Sequence, residues 1–211
     1  LKKAFSKKYI IKILTSIIGI AITCFSASLF YKINMGADPY QVFAIAVHKR
    51  LGISYGQANL LLNSIIVILL VIFKRKYINV SLFLSLFIAG PLLDFFNHLI
   101  GPFIGTDLSL WLKLILAFTG TIFLSFGVYL YISPQLGASP ADSVGLIISD
   151  MTRIPYKRIR ILTDALYTVI GLSLGGFVGI VTVLSVVLTG PCIGWLQDRL
   201  NKRRVIKYIS C

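Results

Sequence analysis

Carboxylates set inside apolar stretches are the groups in this chain with the greatest capacity for chemistry. Asp94 and Asp164 lie in runs apolar enough for lipid, where an ionised carboxylate must be paired, protonated or put to use. Such groups suit two tasks, carrying a coupling proton and orienting a bound solute. Asp142 follows Ser139 closely, and Gln57, Asn59 and Asn63 place amides on one apolar stretch whose later counterpart carries Arg158, Arg160 and Asp164. Asp38-Pro39 and Ser139-Pro140 are strong helix starts, with a side-chain oxygen at the cap and a proline where the missing N–H is harmless. The free N–H groups and positive dipole end of such a start attract an anionic or polar group. Ser139 leaves that end open, whereas Asp38 brings its own negative charge to it. Plainer roles exist for each: Asp164 paired with Arg160 four residues away, Asp38 capping its own backbone, the amides bridging helices.

These groups must be positioned by elements that occur twice. Gly36-Ala37-Asp38-Pro39 is answered by Gly137-Ala138-Ser139-Pro140, and the same shift of 101 carries Gly19 onto Gly120, Tyr55 onto Tyr156, Gln41 onto Asp142 and Asn63 onto Asp164. After one deleted residue Gly90-Pro91 falls on Gly190-Pro191. Each copy, over residues 9–104 and 110–204, reads as a long span, a Gly/Pro turn, a short amphipathic helix and two further spans. The paired Gly-Pro steps, Gly90-Pro91 and Gly190-Pro191, are expected to break the third and sixth spans at matching points and to serve as hinges.

Composition places the chain in lipid. Hydrophobic residues make up 57% and charged residues 13% of its 211 residues, and the mean hydropathy is +0.88, too apolar to coat a soluble globule. Apolar runs near 10–31, 55–73, 79–97, 110–132, 160–177 and 178–196 can each cross roughly 30 Å of hydrocarbon as helices. The first is expected to be retained, since it lacks the short apolar core and small-residue cleavage site of a signal peptide. The net charge of +14 is concentrated beside these runs, at Lys2 to Lys12, Lys74-Arg75-Lys76 and Arg199 to Lys207. That is the positive-inside pattern, with anionic lipid headgroups at the cytoplasmic face as its partners, and it argues against nucleic acid. Trp111, Trp195, Tyr9, Tyr129 and Tyr131 read as interfacial or packing residues. Cys24, Cys192 and Cys211 have no metal-ligand spacing, and His48 and His98 stand far apart, so no metal or cofactor is expected. No nucleophile elbow, P-loop or zinc-protease helix is present, which sets enzymes aside.

The short helices, 12–14 residues long, rise about 20 Å and are too short to cross comfortably. If they turn back, each copy has three spans and the copies are inverted; if they cross, each has four and the copies are parallel. Charge does not decide: with a cytoplasmic N-terminus, four of the 21 basic residues fall outside in either arrangement. Length favours the first. The expected fold is therefore an all-α membrane protein of six transmembrane helices plus two short half-helices, formed by two inverted repeats, with both termini cytoplasmic.

Several motifs in order carry a family resemblance. Met35-Gly36-Ala37-Asp38-Pro39 and, more closely, Leu136-Gly137-Ala138-Ser139-Pro140-Ala141-Asp142 resemble the Leu-Gly-x-x-Pro-x-Asp element of the YczE/YyaS/YitT group of bacterial integral membrane proteins, YczE-like members above all. Gly52-Ile53-Ser54-Tyr55-Gly56, the Gly90 and Asp94 pair, Leu174-Gly175-Gly176-Phe177-Val178-Gly179 and Gly190-Pro191 resemble its later elements. The chain departs from the pattern at Gln41, where the first copy usually has an acid, at Asp164, usually Glu, and at Val181, usually Gly. The resemblance implies a multi-pass protein of the bacterial plasma membrane and no settled activity. The residues themselves point to a secondary transporter or permease for a small polar or anionic solute bound between the repeats, with Asp38, Asn63, Asp94, Ser139, Asp142 and Asp164 as its site. The other reading is a non-catalytic accessory or substrate-capture subunit acting with a partner protein, or a homo-oligomer.

Overall fold

The structure, a computed structural model, describes residues 7–73, 78–104, 108–134, 136, 138–154 and 156–202. Gly137 and the basic clusters at 2–3, 74–76 and 203–207 lie outside the described residues. Every regular element among the described residues is helical: α1 (Lys7–Ile33), α2 (Pro39–Leu51), α3 (Tyr55–Phe73), α4 (Val80–Ile100), α5 (Leu110–Ile132), α6 (Pro140–Thr152), α7 (Tyr156–Ser173) and α8 (Ile180–Lys202). Four helices are long and apolar enough to cross a membrane, namely α1 from Tyr9, α3, α4 and α5. The other two expected spans fall on α7, which carries Arg158, Arg160 and Asp164, and on α8, whose apolar part is Ile180–Leu196.

Local chemistry sets the boundaries. α2 and α6 are 13 residues each and begin with Pro39 and Pro140 behind Asp38 and Ser139. Gly52 ends α2 at φ +67°, a left-handed conformation that glycine adopts without strain. α7 stops at Ser173, earlier than the apolar run that extends to 177. Gly175 turns left-handed there at φ +90°, and the Gly176 N–H donates to the Gly171 carbonyl at 2.8 Å. The expected helix breaks are absent: α4 runs unbroken through Gly90-Pro91 and α8 through Gly190-Pro191. A proline removes one helical hydrogen bond, and the remaining ladder together with packing carries the helix past it.

Contacts fix the helix directions. Ser16 meets Ser81, the Cys24 thiol donates to the Ala89 carbonyl and the Ser28 hydroxyl to the Leu93 carbonyl, so α1 and α4 run parallel. Gly19 packs on Gly127 and Tyr131, and Gly120 on Phe30, so α1 and α5 run antiparallel. α3 runs against α4, with Gly56 beside both Gly90 and Asp94 and Leu60 beside Gly90. α2 also runs against α3, since Tyr40 reaches Asn63 and Gln41 reaches Asn59.

Exchanging the two halves reproduces the packing. α1 lies on α4 as α5 lies on α8, α2 on α3 as α6 on α7, and α2 on α7 as α3 on α6. The backbone repeats the correspondence: the Val181 N–H donates to the Met35 carbonyl at 3.0 Å, and the Ser81 N–H to the Leu136 carbonyl at 3.1 Å. In the first of these joints the turn after α1 is pressed into the α7–α8 connection, where a side chain on Gly36 (φ +97°) would strike the Gly179 amide at 2.5 Å. One pairing breaks the pattern. α3 and α4 pack closely, whereas α7 and α8 touch only lightly.

Candidate functional site

A cavity of about 100 Å³ lies where α2 and α6 begin, walled also by α1, α3, α4, α5, α7 and α8. Its depth along the molecule follows from α2. Asp38, at the start of α2, shares the cavity with Ile20, Thr23 and Cys24 from the middle of α1. His48, near the end of α2, lies 3.0 Å from the Tyr31 hydroxyl near the end of α1. After α1 the chain therefore returns to mid-height, and α2 climbs back along the distance just descended. Ser139 at the start of α6 opens on the same cavity, beside Leu124 and Val128 of α5.

Two matched side-chain triads face each other across it. On α2 and α3, Gln41 Oε1 accepts from the Tyr55 hydroxyl at 2.7 Å and from Asn59 Nδ2 at 3.4 Å. Asn59 Oδ1 accepts from Asn63 Nδ2 at 2.7 Å, and Asn63 Oδ1 from the Tyr40 hydroxyl at 2.9 Å. On α6 and α7 the residues 101 positions later do the same with charge. Arg160 donates through Nη1 to Asp142 and through Nε to Asp164 at 3.0 Å. Asp142 also accepts from the Tyr131 hydroxyl and from Ser139 Oγ at 2.8 Å. The spacing explains both triads, because residues four apart on a helix share a face: Asn59 and Asn63 on α3, Arg160 and Asp164 on α7. Gln41 and Asp142 sit at the third position of a proline-started helix, close enough to bridge to that face. Tyr40 and Tyr167 meet edge-on at 5.4 Å between centroids and join the two sides.

Of the residues expected to form the site, the structure brings Asp38, Asn63, Ser139, Asp142 and Asp164 to the cavity. Asp94 is placed elsewhere, accepting from the Gly56 amide at 2.8 Å and the Ser54 hydroxyl at 2.6 Å. It caps α3 from the neighbouring helix, an anion at the positive end of a dipole. The Asp164 and Arg160 pair exists, but Arg160 is shared with Asp142, so the plainer two-residue bridge is part of a larger network. Gly90 is packed on Gly56, while Gly190 has nothing within 4 Å of where a side chain would begin.

Gln41, Asn59 and Arg160 also line the cavity; in the sequence Asn59 stands out as a bridging amide, Arg160 as a partner of Asp164 and Gln41 as a replaced acid, none of them as a site residue. Their signal was present, since the shift of 101 pairs Gln41 with Asp142 and Asn59 with Arg160. Tyr131, read as an interfacial or packing residue, instead bonds Asp142. Among the described residues no three His, Cys, Asp or Glu side chains gather as a metal-ligand set.

Comparison with known proteins agrees with this picture of a lipid-embedded helical chain. It is 28% identical over 174 residues, 82% of its length and 79% of the relative's, to the uncharacterized membrane protein YczE of Bacillus subtilis (strain 168). It is also 28% identical, over 82% of its length and 86% of the relative's, to the uncharacterized protein YyaS of the same strain. An uncharacterized protein of Haemophilus influenzae is 21% identical over 83% of the chain and 78% of its own length. No solved structure matches. The profile described as a family of unknown function, DUF6198, matches residues 10–198, and the chain belongs to that family of membrane proteins.

Proposed function

We propose that this protein is a secondary transporter or permease that moves a small polar solute through the central cavity, without chemistry on the solute. The observation that carries the reading is the convergence of two proline-started half-helices and two matched triads on one cavity. Half-helix ends aimed at a central site supply fixed dipoles where a polar solute needs them, and two equivalent halves supply walls that can part in turn.

The same reading takes the chain as six spans with two re-entrant helices, in inverted repeats, both termini cytoplasmic. Helix directions support it. With α2 turning back, α1 and α4 cross in the same sense and α5 in the opposite one, as their contacts run. With α2 crossing, α1 and α4 would oppose each other. The unequal packing of α3–α4 and α7–α8 supports alternating access, since one flank of the cavity is sealed where its counterpart is loose.

The test is uptake by the purified full chain in liposomes, with Asp164→Asn in parallel. Solute accumulation above empty vesicles, lost in the variant, is the expected result. No movement across a panel of small amines, acids and polyols, together with a cellular role untouched by Asp164→Asn, would refute the reading. Activity only with a co-purifying protein would assign the chain to the accessory class instead.

A further inference from the structure

We propose that the solute of this cavity is a small cation, with Asp38 as the carboxylate that receives it; this names the solute class for the transport reading and rests on that reading. The first argument is charge. Four ionisable side chains of fixed sign stand on the wall, Asp38, Asp142, Asp164 and Arg160. Arg160 is shared by Asp142 and Asp164, so one guanidinium faces three carboxylates. The starts of α2 and α6 add about half a positive charge each, which still leaves the ionised wall roughly one charge negative. An anion would enter against that field, and a cation along it. In a lipid-embedded cavity such an imbalance is answered by a proton or by a counter-charge, and a cationic guest supplies the second.

The second argument is which carboxylate is free to act. Asp142 is held by Arg160, Tyr131 and Ser139, and Asp164 by Arg160. Among the described residues Asp38 makes no side-chain capping bond of full geometry and no ion pair; the donor that acts on its carboxylate is the neighbouring Tyr40 amide. The charged groups that act on it are Arg160, Asp164 and Asp142 across the cavity. Its counterpart Ser139, by contrast, is spent on capping α6.

A third observation is independent of the acids. Thr189 of α8 stands on the cavity wall only 8% exposed, and its hydroxyl oxygen has no hydrogen-bond partner among the described residues. A buried hydroxyl left unmatched is a lone-pair donor awaiting a ligand. Tyr40, Tyr131 and Tyr167 also line the space, and aromatic faces favour cations over anions. Volume limits the guest: about 100 Å³ is smaller than the roughly 150 Å³ of an engineered cavity that holds benzene. Guanidinium and methylammonium fit; a nucleotide or a peptide does not. The carboxylates are not gathered as a metal-ligand set, so they act as a field around a monovalent guest.

The experiment compares radiolabelled guanidinium, methylammonium and acetate uptake by the full chain in liposomes, for the wild type, Asp38→Asn and Asp38→Glu. Burial of Cys24, read by maleimide protection, reports folding of each variant. The expected result is cation uptake at least tenfold above acetate, a loss of tenfold or more in folded Asp38→Asn, and partial recovery in Asp38→Glu. Uptake of acetate but neither cation overturns the cation assignment and leaves the transport reading in place. Cation uptake undiminished in Asp38→Asn removes Asp38 from the site. Movement of none of the three counts against both the solute class and transport. Should Asp38→Asn unfold, wild-type selectivity together with Asp38→Glu decides.

Discussion

Gly56→Ala and Gly190→Ala are the same chemical change at two glycines on opposite sides of the pseudo-symmetric packing, and they should have opposite effects. A side chain on Gly56 would meet the Gly90 carbonyl, Asp94 Oδ2 at 2.5 Å and Asp94 Cγ at 2.7 Å. All three of these atoms belong to backbone or to a carboxylate held by its own bonds, so α3 has to move off α4. Overpacking of this kind costs about 1–3 kcal/mol. Moving α3 also stretches the bonds from the Gly56 amide and the Ser54 hydroxyl to Asp94, now 2.8 and 2.6 Å. A hydrogen bond to a charged group contributes about 1.5–3 kcal/mol, and partial loss of the two brings the total to about 3–5 kcal/mol. Gly190 lies within α8 with nothing inside 4 Å of the new methyl, so helix propensity alone acts, a gain of up to about 1 kcal/mol. The difference, about 3–6 kcal/mol, corresponds to roughly 10 °C or more in apparent melting temperature for a chain of this size. Cys24 is a built-in reporter, 4% exposed and bonded to the Ala89 carbonyl beside Gly90. With Cys192 and Cys211 changed to Ser, maleimide labelling of Cys24 against temperature gives both curves. A Gly56→Ala curve that coincides with wild type, or with Gly190→Ala, would refute the claim that α3 and α4 are in locked contact.

The triads allow a graft. Asp142→Gln, Arg160→Asn and Asp164→Asn together copy the neutral triad onto α6 and α7; the triple variant should stay folded, because replacing a whole buried ionic set is often neutral, and should lose uptake. Arg160→Asn alone strands two carboxylates and should cost about 3–5 kcal/mol, so a single variant more stable than the triple one in thermal unfolding would contradict the network. Topology has a direct check in single cysteines on a Cys-free background: Arg50→Cys is expected to react with an impermeant maleimide from outside the cell and Met151→Cys only from inside. Equal sidedness at the two positions would exclude re-entrant helices in inverted repeats.

How much of this was legible in the sequence depends on which kind of contact is in question. The half-helices could be read because their signals are local: a cap, a proline one residue later, and a basic or glycine end within 13 residues. The pairing of Asp164 with Arg160 was equally local. Asp94 could not be read correctly, because its role comes from the start of α3, where the Gly56 amide and Ser54 lie 38 and 40 residues away and reach it only through the Gly56–Gly90 crossing. The Gly-Pro steps misled for a related reason: proline predicts the loss of one backbone bond, and whether a helix breaks there is decided by its neighbours.

The pairing of the two triads, unlike most of the site's residues, was hidden in a comparison that sequence permits but does not force. Aligning the copies sets Gln41, Asn59 and Asn63 against Asp142, Arg160 and Asp164; read singly, Asn63, Asp142 and Asp164 stand out as site candidates and the other three do not. The six become two versions of one triad once α2 lies on α3 and α6 on α7. The neutral version shows that the geometry needs no charge, since amides and tyrosine hydroxyls satisfy it completely. Charge on the other side therefore has to be explained by something other than folding. Two carboxylates and a guanidinium facing a third carboxylate in a cavity within lipid are costly to desolvate. On the proposed reading the unequal halves suit a site that neutralises a cationic guest: one wall that holds its shape without charge, and one whose charge is answered by what enters.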